Sequence, residues 1–469
     1  MQRNPRAARP LRSVLFGDRA FYRMVLVIVI PIIVQNAISS FVNLLDNIMV
    51  GRLGTEQMSG VSIANQLMFV FNLCVFGGIS GAGIFSAQFY GAKNQEGVRG
   101  CFRYKVYLVA ALVLLALTVF LTTGESLVMR YLNDASDVGR IEQTLTESLD
   151  YLHVMLWSLA PFAMTNVYAG TLRETGETRL PMAAGIVAVF VNLSFNWLLI
   201  FGHLGFPALG VRGAALATVI SRFVELSIVV IYTHTHVERY PFASGLYRTM
   251  KVPGRLAKDI TIKGLPLLVN EGLWSTGMAT LNQCYSLRGL DVVAAMNISS
   301  TISNLFAVTF LSMGSAAAII VGQALGSGDM ERAKTRAWHV IVFSILISAA
   351  TSVLMLIFAP LIPHIYRTEE SVRHLATGLL NIYALCMPLF AFANSAYFIL
   401  RSGGKTMLTF VFDSGYTWLI SVPIAWTLAH FTGLGIISIY LVVQLADIIK
   451  CAFGFYLIQK GIWLNNLAN

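Results

Sequence analysis

The sequence predicts an all-α polytopic membrane protein whose twelve transmembrane helices form two parallel six-helix repeats. Three observations predict this fold class: an apolar composition, apolar runs of membrane-spanning length, and short phrases that occur twice. Hydrophobic residues make up 56% of the 469 positions and charged residues only 12%, with a mean hydropathy of +0.69. Because a soluble domain carries about 25% charged residues, this composition excludes an ordinary soluble protein.

Apolar runs of about 20 residues, which cross a bilayer core as a helix, recur along the whole chain. Two examples are VYLVAALVLLALTVFLTTG (106–124) and VIVFSILISAATSVLMLIFAP (340–360). The predicted spans are 21–48, 60–88, 104–126, 147–171, 181–202, 211–234, 261–287, 292–322, 337–360, 375–400, 407–429 and 433–457.

The net charge of +10 comes from basic residues that are distributed unevenly between the two sides of the membrane. When each of the 33 Lys and Arg residues is assigned to the nearer connection, 25 fall on the side that holds both termini and 7 on the other, while Arg222 lies in the middle of a span. By the positive-inside rule both termini are then cytoplasmic. The basic excess therefore indicates membrane topology and no nucleic-acid partner.

Cysteine and histidine usage predicts no disulfide framework and no metal site. The five cysteines are scattered without paired spacing. His234 and His236 have no further ligand nearby in the sequence. The first twenty residues lack the apolar core of a signal peptide and are interpreted as a cytoplasmic tail.

The phrase TLRETGET (171–178) returns as ILRSGGKT (399–406), so that Arg173, Gly176 and Thr178 each recur 228 positions later. IPIIVQN (30–36) returns as LPLLVNE (265–271), and AQFYGA (87–92) returns as GQALGS (322–327), both at an offset of 235. Ordered matches with a slowly falling offset indicate two six-helix halves in tandem. Since six is even, both halves enter from the same side, as in transporters with parallel repeats around a central cavity.

The repeat predicts the domain organisation. The predicted segments are a cytoplasmic tail (1–20), an N-terminal six-helix lobe (21–234), a cytoplasmic linker (235–260), a C-terminal six-helix lobe (261–457) and a cytoplasmic C-terminal tail (458–469). Arginine and glycine in the repeated phrase predict a tight turn at a helix end, where Arg173 and Arg401 bond terminal carbonyls near the interface. The glycine spacing of a phosphate-binding loop is absent.

Several segments resemble multidrug and toxic compound extrusion (MATE) transporters of the bacterial type. They are FVNLLDNIMVGRLG (41–54), GTLRETGET (170–178), NLSFNWLLIFGHLGFPALGVRGAALAT (192–218), GQALGSG (322–328) and ADIIKCAFGFYLIQKGIWLNN near the C-terminus. The resemblance covers essentially the whole chain in the family's order. It implies a V-shaped bundle of two lobes that exports organic, often cationic compounds, driven by inward flow of Na⁺ or H⁺.

Two carboxylates in the spans are candidates for cation binding, because buried charge in a membrane is costly and usually functional. Asp46 matches the acid that the family carries in helix 1. Glu271 matches the helix 7 acid of the family's sodium-coupled branch and follows Pro266, which frees backbone groups. Its repeat partner is Asn36, which is also a candidate for cation binding, although the two halves differ at this position by carrying a carboxylate and an amide.

Two amides and a third acid complete the candidate set. Asn192 and Asn196, four residues apart, share a helix face. Part of the family has an aspartate at the second position, whereas Asn196 cannot titrate but can coordinate a cation through its oxygen. Another branch has a helix 10 acid where this chain has Phe390, and Asp413 is the substitute candidate as partner of Glu271.

A second set of charges is interpreted as structural. Arg222 and Glu225 stand three residues apart, and their repeat positions, Asp447 and Lys450, carry the exchanged signs. Each pair is expected to satisfy itself within one helix.

These observations favour an antiporter that is not an enzyme, exports organic compounds by alternating access and uses no cofactor beyond a coupling Na⁺ or H⁺. The expected setting is the bacterial cytoplasmic membrane, where the chain contacts small organic molecules and lipid and acts as a monomer. The alternative is a flippase for lipid-linked saccharides or peptidoglycan precursor, which would need cationic residues in its cavity. An adaptable apolar lining could come from Met68, Phe69, Phe71, Met155, Trp157 and Phe162.

Overall fold

A computed structural model of the protein describes residues 16–132, 138–366 and 368–468, which form helices joined by short connections and contain no strand. Most of the predicted tail 1–20 lies outside the described residues. The helices are Arg19–Gly51 (α1), Thr55–Gly91 (α2), Gln95–Leu132 (α3), Val138–Glu174 (α4), Arg179–Phe201 (α5), Gly210–Thr235 (α6), Gly254–Ser286 (α7), Leu290–Gly326 (α8), Met330–Phe358 (α9), Glu370–Ser402 (α10), Thr406–Phe431 (α11) and Ile436–Lys460 (α12).

The twelve helices confirm the predicted number and order of helical segments. Ten of the described helices are long and apolar enough to cross a membrane. The other two, α4 and α7, have the length but a more polar composition. The protein is a multi-pass membrane protein.

The repeated phrase forms the same turn in both places. Gly176 and Gly404 adopt φ values of +88° and +71°, which only glycine reaches without strain. The amide of Gly176 donates to the Arg173 carbonyl, and the amide of Gly404 donates to the Arg401 carbonyl, at 2.9 and 2.8 Å. In each copy the following amide bonds a carbonyl five residues earlier, which completes a Schellman helix end. The predicted tight turn is confirmed.

The repeat extends to helix starts that the sequence comparison did not single out. Asn94 accepts a hydrogen bond from the Gly97 amide ahead of α3, at 2.9 Å. Asp329, 235 positions later, accepts one from the Arg332 amide ahead of α9, also at 2.9 Å. Such N-caps satisfy amides that have no partner within the helix.

The chain packs into two compact units, each described by itself. The first contains the described residues up to Ile33, Ala87–Lys93 and the residues from Gly272 onward. The second contains Val34–Ser86 and Asn94–Glu271. The lobe boundaries predicted from the repeat stay a prediction, because these units are defined by packing and not by sequence repetition.

Within the first unit, the repeated segments AQFYGA and GQALGS lie directly against each other. A side chain on Gly91 would overlap the backbone of Gln323, and one on Gly326 would overlap the backbone of Gln88. Each copy of the motif therefore uses its glycine to admit the glutamine backbone of the other copy. Gln88 itself is buried and donates to the carbonyls of Ser402 and Asn465, at 2.8 and 3.2 Å.

Candidate functional site

The second unit holds a chain of hydrogen bonds that joins three helices. Asn196 on α5 donates from Nδ2 to Asp46 Oδ1 on α1 at 2.6 Å and to Asn192 Oδ1 at 3.1 Å. Asn192 in turn donates to the Thr218 hydroxyl on α6 at 3.3 Å. The four-residue spacing of the two asparagines places both amides on one face of α5. The structure thus brings together three of the predicted site residues, Asp46, Asn192 and Asn196.

Asn196 carries an unsatisfied acceptor at the centre of this network. Its side chain is 1% exposed, and its Oδ1 atom makes no hydrogen bond within the part of the chain that the structure describes. A buried polar atom without a partner costs about 1–3 kcal/mol. The neighbouring Asp46 carboxylate adds negative charge. A carboxylate beside a bare amide oxygen offers two oxygen ligands to a small cation or an acceptor to a proton carried by Asp46.

Asp46 and Asn196 border a cavity of about 450 Å³ in the second unit. Five of the six residues predicted as an apolar lining border it: Met68, Phe69, Phe71, Met155 and Phe162. The sixth, Trp157, does not border it and is 73% exposed. Polar groups supply much of the remaining lining, among them Asn47, Ser62, Asn65, Gln66, Asn72, Tyr151, Ser158 and Thr218. The cavity can therefore contact both the apolar body and the polar groups of an organic molecule.

Arg222 on α6 also borders the cavity. Its guanidinium pairs with Glu225 of the same helix at 3.1 Å and lies 5.1 Å from the centre of the Phe162 ring. The predicted pair of Arg222 and Glu225 is confirmed. Since Glu225 neutralises Arg222, Asp46 remains the carboxylate whose charge faces the described cavity without a basic side chain bonded to it.

Glu271 and Asn36 lie elsewhere in the same unit. Glu271 on α7 packs beside α2, where a side chain on Gly77 would approach its Cγ to 3.1 Å and the Cα of Leu268 to 3.0 Å. The bare glycine lets the two helices approach closely at the carboxylate. Asn36 on α1 is exposed, and its backbone carbonyl accepts from the Ser40 hydroxyl at 3.0 Å. Neither is a lining residue of the described cavity, so their coupling roles stay predictions.

Asp413 belongs to the first unit, and its surroundings correct one expectation. Lys450 on α12 donates to Asp413 Oδ1 on α11 at 2.9 Å. The sequence predicts that Lys450 pairs with Asp447 of its own helix, but the ion pair of Lys450 among the described residues is with Asp413. A flexible lysine can reach a neighbouring helix, and α11 is locally widened at Asp413, where residues 411–415 are π-helical.

Sequence reasoning missed a buried ion pair in the second unit. Lys105 on α3 is completely buried and donates to Glu174 at 2.5 Å and to the Thr171 hydroxyl at 3.1 Å. Glu174 lies within the repeated phrase, but its repeat position holds Ser402. The sequence signal for this pair was that Glu174 is charged, whereas the same position in the second copy of the phrase is not.

The role predicted for Arg173 is also corrected. It donates to the side-chain oxygen of Gln35 on α1 at 2.6 Å, although the sequence predicts a bond to terminal carbonyls near the interface. Gln35 donates its own amide toward the Pro181 carbonyl at 3.5 Å. Arg173 thus ties the end of α4 to α1, eleven residues before Asp46.

Comparison with known sequences identifies relatives along the whole chain. The sequence model of the MatE family matches residues 31–198 and again 266–427, and the two matches begin at the repeated prolines Pro31 and Pro266. A relative from Bacillus subtilis, named probable multidrug resistance protein YoeA, is 25% identical over 433 residues, covering 92% of each chain. Another from Thermotoga maritima, named probable multidrug resistance protein NorM, is 25% identical over 437 residues, covering 92% of this chain and 91% of its own.

Solved structures share the fold. A multidrug resistance MATE family transporter of the MOP superfamily, in an outward-facing conformation, superposes with a TM-score of 0.82 at 22% identity and covers 97% of this chain and 99% of its own. A MOP superfamily transporter from Pyrococcus furiosus gives the same TM-score and coverage at 21% identity. At these identities the likeness establishes the fold alone.

Proposed function

This chain belongs to the MatE family, and from that premise we propose that it exports organic, often cationic compounds in exchange for Na⁺ or H⁺. Its relatives are named as multidrug resistance proteins. The proposal includes alternating access, in which the substrate site opens to one side of the membrane at a time. The family's members are membrane transporters, and the proposed activity is transport without chemical change.

One observation carries the proposal: Asp46 accepts a hydrogen bond from Asn196, whose Oδ1 is bare, and both residues line a cavity of about 450 Å³. The cavity has the size and mixed lining of a small-molecule site. The carboxylate can attract an organic ammonium group, and the carboxylate with the amide oxygen can hold Na⁺ or H⁺. Both ligands thus use the same negative charge.

Shared use of Asp46 supplies the coupling. Each ligand shifts the conformational equilibrium only by its differential affinity for the two states. When H⁺ or Na⁺ occupies Asp46, the ammonium group of a substrate loses its counter-charge and its affinity falls. The ion that enters from outside therefore favours release of the substrate there.

The proposed setting is the bacterial cytoplasmic membrane, with both termini in the cytoplasm and one chain as the working unit. The distribution of Lys and Arg over alternate connections supports this orientation. The lipid bilayer and the small-molecule substrates are the partners of this proposal.

The cavity gives little support to the alternative of a lipid-precursor flippase. A pyrophosphate headgroup needs basic side chains or backbone amides around it. Among the described residues that line the cavity, Arg222 is the one basic side chain, and it is paired with Glu225.

The test measures efflux of a fluorescent organic cation from proteoliposomes under a sodium gradient or a proton gradient imposed separately. Wild type is compared with Asp46→Asn, Glu271→Gln and the control Glu370→Gln, which changes an exposed acid at the start of α10. One of the two gradients is expected to drive efflux in wild type and in the control. Asp46→Asn is expected to abolish this gradient-driven efflux.

Two results would change the proposed coupling site or the proposed substrate. If Glu271→Gln abolishes gradient-driven efflux and Asp46→Asn does not, the coupling site lies at Glu271. If neither gradient moves the cation in wild type, drug export fails, and a fluorescent lipid with a pyrophosphate headgroup becomes the substrate to test.

A further inference from the structure

The first unit contains a cluster of charges that the proposed transport site does not use. Asp413 on α11 and Lys450 on α12 form an ion pair at 2.9 Å, with side chains 18% and 15% exposed. Asp447 lies about one turn before Lys450 on α12. It is in electrostatic contact with both Lys450 and Asp413.

The charges of this cluster do not balance. Lys450 bonds Asp413 and can neutralise one carboxylate, so the three groups together carry one excess negative charge when all are ionised. Asp447 has no ion pair of its own among the described residues. An uncompensated carboxylate inside a membrane bundle is costly unless a cation accompanies it.

The matching position in the first half of the sequence is arranged differently. Arg222 and Glu225, the repeat counterparts of Asp447 and Lys450, bond each other directly at 3.1 Å. Among the described residues Arg222 has no second acid bonded to it, although it interacts electrostatically with Asp46. Lys450, in contrast, is bonded to Asp413. The repeat position 228 residues before Asp413 is Gly185. Because Lys450 forms its ion pair with Asp413, Asp447 is left without an ion pair among the described residues.

The Tyr416 hydroxyl is a second polar group of this cluster that can act as a ligand. Tyr416 is 8% exposed, and its hydroxyl oxygen is buried without a hydrogen bond in the described chain. The hydroxyl nevertheless lies near Ser421 and Asp447 and interacts with both, without the geometry of a full hydrogen bond to either. A buried hydroxyl normally finds a partner, so this one is placed to act as an additional oxygen ligand.

The local backbone places these groups. Residues 411–415 and 417–421 of α11 are π-helical, a local widening that occurs frequently at functional sites. The Lys450 ammonium lies 5.4 and 5.6 Å from the ring centres of Phe412 and Tyr416. These ring contacts accompany the ion pair of Lys450 with Asp413.

We propose that Asp447 and the Tyr416 hydroxyl form a second site for a monovalent cation, H⁺ or Na⁺, while the pair of Asp413 and Lys450 fixes the charge beside it. Besides these groups, the titratable side chains in electrostatic contact with Asp447 are Tyr285, Cys386, Tyr440 and Cys451. Only the site's role in coupling rests on the proposed antiport; cation binding does not.

The test uses purified full-length protein carrying Asp46→Asn, so that the first site is removed. One arm measures equilibrium binding of ²²Na⁺ at fixed pH, and the other measures proton uptake after a pH step with an indicator dye. Each arm compares this background with the same chain carrying Asp447→Asn in addition. Glu271 and Asp413 are present in both proteins, so the difference reports Asp447.

Asp447→Asn is expected to weaken Na⁺ binding by about tenfold or more, or to remove one bound proton, because the carboxylate supplies the charge. Lys450→Gln is expected to strengthen cation binding, since it leaves two carboxylates without a lysine. The control Glu370→Gln is expected to change neither readout. Equal Na⁺ binding and equal proton uptake with and without Asp447→Asn would overturn the site.

A conservative variant keeps the test decisive if Asp447→Asn does not fold. If Na⁺ is the ligand, Tyr416→Phe is expected to weaken Na⁺ binding several-fold, because it removes one oxygen ligand. If H⁺ is the ligand, Lys450→Gln is expected to make Asp447 retain its proton to higher pH. No effect of either variant would overturn the proposal. Failure of wild-type drug efflux with intact binding would instead overturn the proposed function.

Discussion

Asn196 donates its amide to Asp46 at 2.6 Å while its own side-chain oxygen is buried without a hydrogen bond. The first contact orients the carboxylate at the cavity wall. The buried oxygen of Asn196 is an acceptor that a cation or a protonated carboxyl group can satisfy. From this relationship between two residues on α1 and α5 we predict that both side chains are necessary for ion binding.

Replacing Asn196 by alanine removes both the bond to Asp46 and the bare oxygen. We expect gradient-driven efflux to fall by about tenfold, the equivalent of one charged hydrogen bond, with little change in the amount of folded protein. The measurement is initial efflux rate in proteoliposomes. The matched control is Asn166→Ala, since Asn166 bonds the Phe162 carbonyl of its own helix and does not line the cavity. Equal loss in both variants would contradict the assigned role.

Replacing Lys105 by methionine leaves Glu174 without its cation in a buried setting. Removing one partner of a buried ion pair costs about 3–5 kcal/mol, whereas replacing both partners is far less costly. We therefore expect Lys105→Met to lower the Tm in detergent strongly and Lys105→Met/Glu174→Gln to recover much of the loss. A double variant as unstable as the single one would show that the pair does not act as a unit.

The close approach of the two repeated motifs predicts a steric effect. Gly91→Ala and Gly326→Ala each place a methyl group on the backbone of the opposite glutamine, and overpacking of this kind costs about 1–3 kcal/mol or more. We expect a lower Tm and less folded protein for both variants. Gly254→Ala is the control, because nothing lies within 4 Å of the added carbon. A Gly91→Ala protein as stable as this control would contradict the packing.

Sequence patterns that act over short distances predicted the structure well. The apolar runs gave twelve helices, and the glycine of the repeated phrase gave the Schellman turn at Gly176 and Gly404. The four-residue spacing of Asn192 and Asn196 gave their shared face. Each of these depends only on residues within one helix or one turn.

Contacts between distant helices could not be derived in the same way. Lys105 and Glu174 are 69 positions apart, and nothing in the spacing of either helix identifies the other as its partner. Lys450 was expected to pair within α12, but the widened backbone of α11 presents Asp413 to it. Arg173 likewise bonds Gln35, which lies on another helix 138 positions away in the sequence. Such pairings depend on helix packing, which the repeat did not specify.

Competition between ion and substrate at Asp46 is the central claim, and an equilibrium binding measurement tests it most directly. The Kd of a fluorescent organic cation for the purified protein is measured by fluorescence anisotropy at increasing Na⁺ and, separately, at decreasing pH. The account predicts that one ion weakens binding in wild type, by about tenfold in Kd for each tenfold rise in that ion once it saturates the site, and that Asp46→Asn removes this dependence. A Kd that is independent of both ions in wild type, or the same ion dependence in Asp46→Asn, would contradict it.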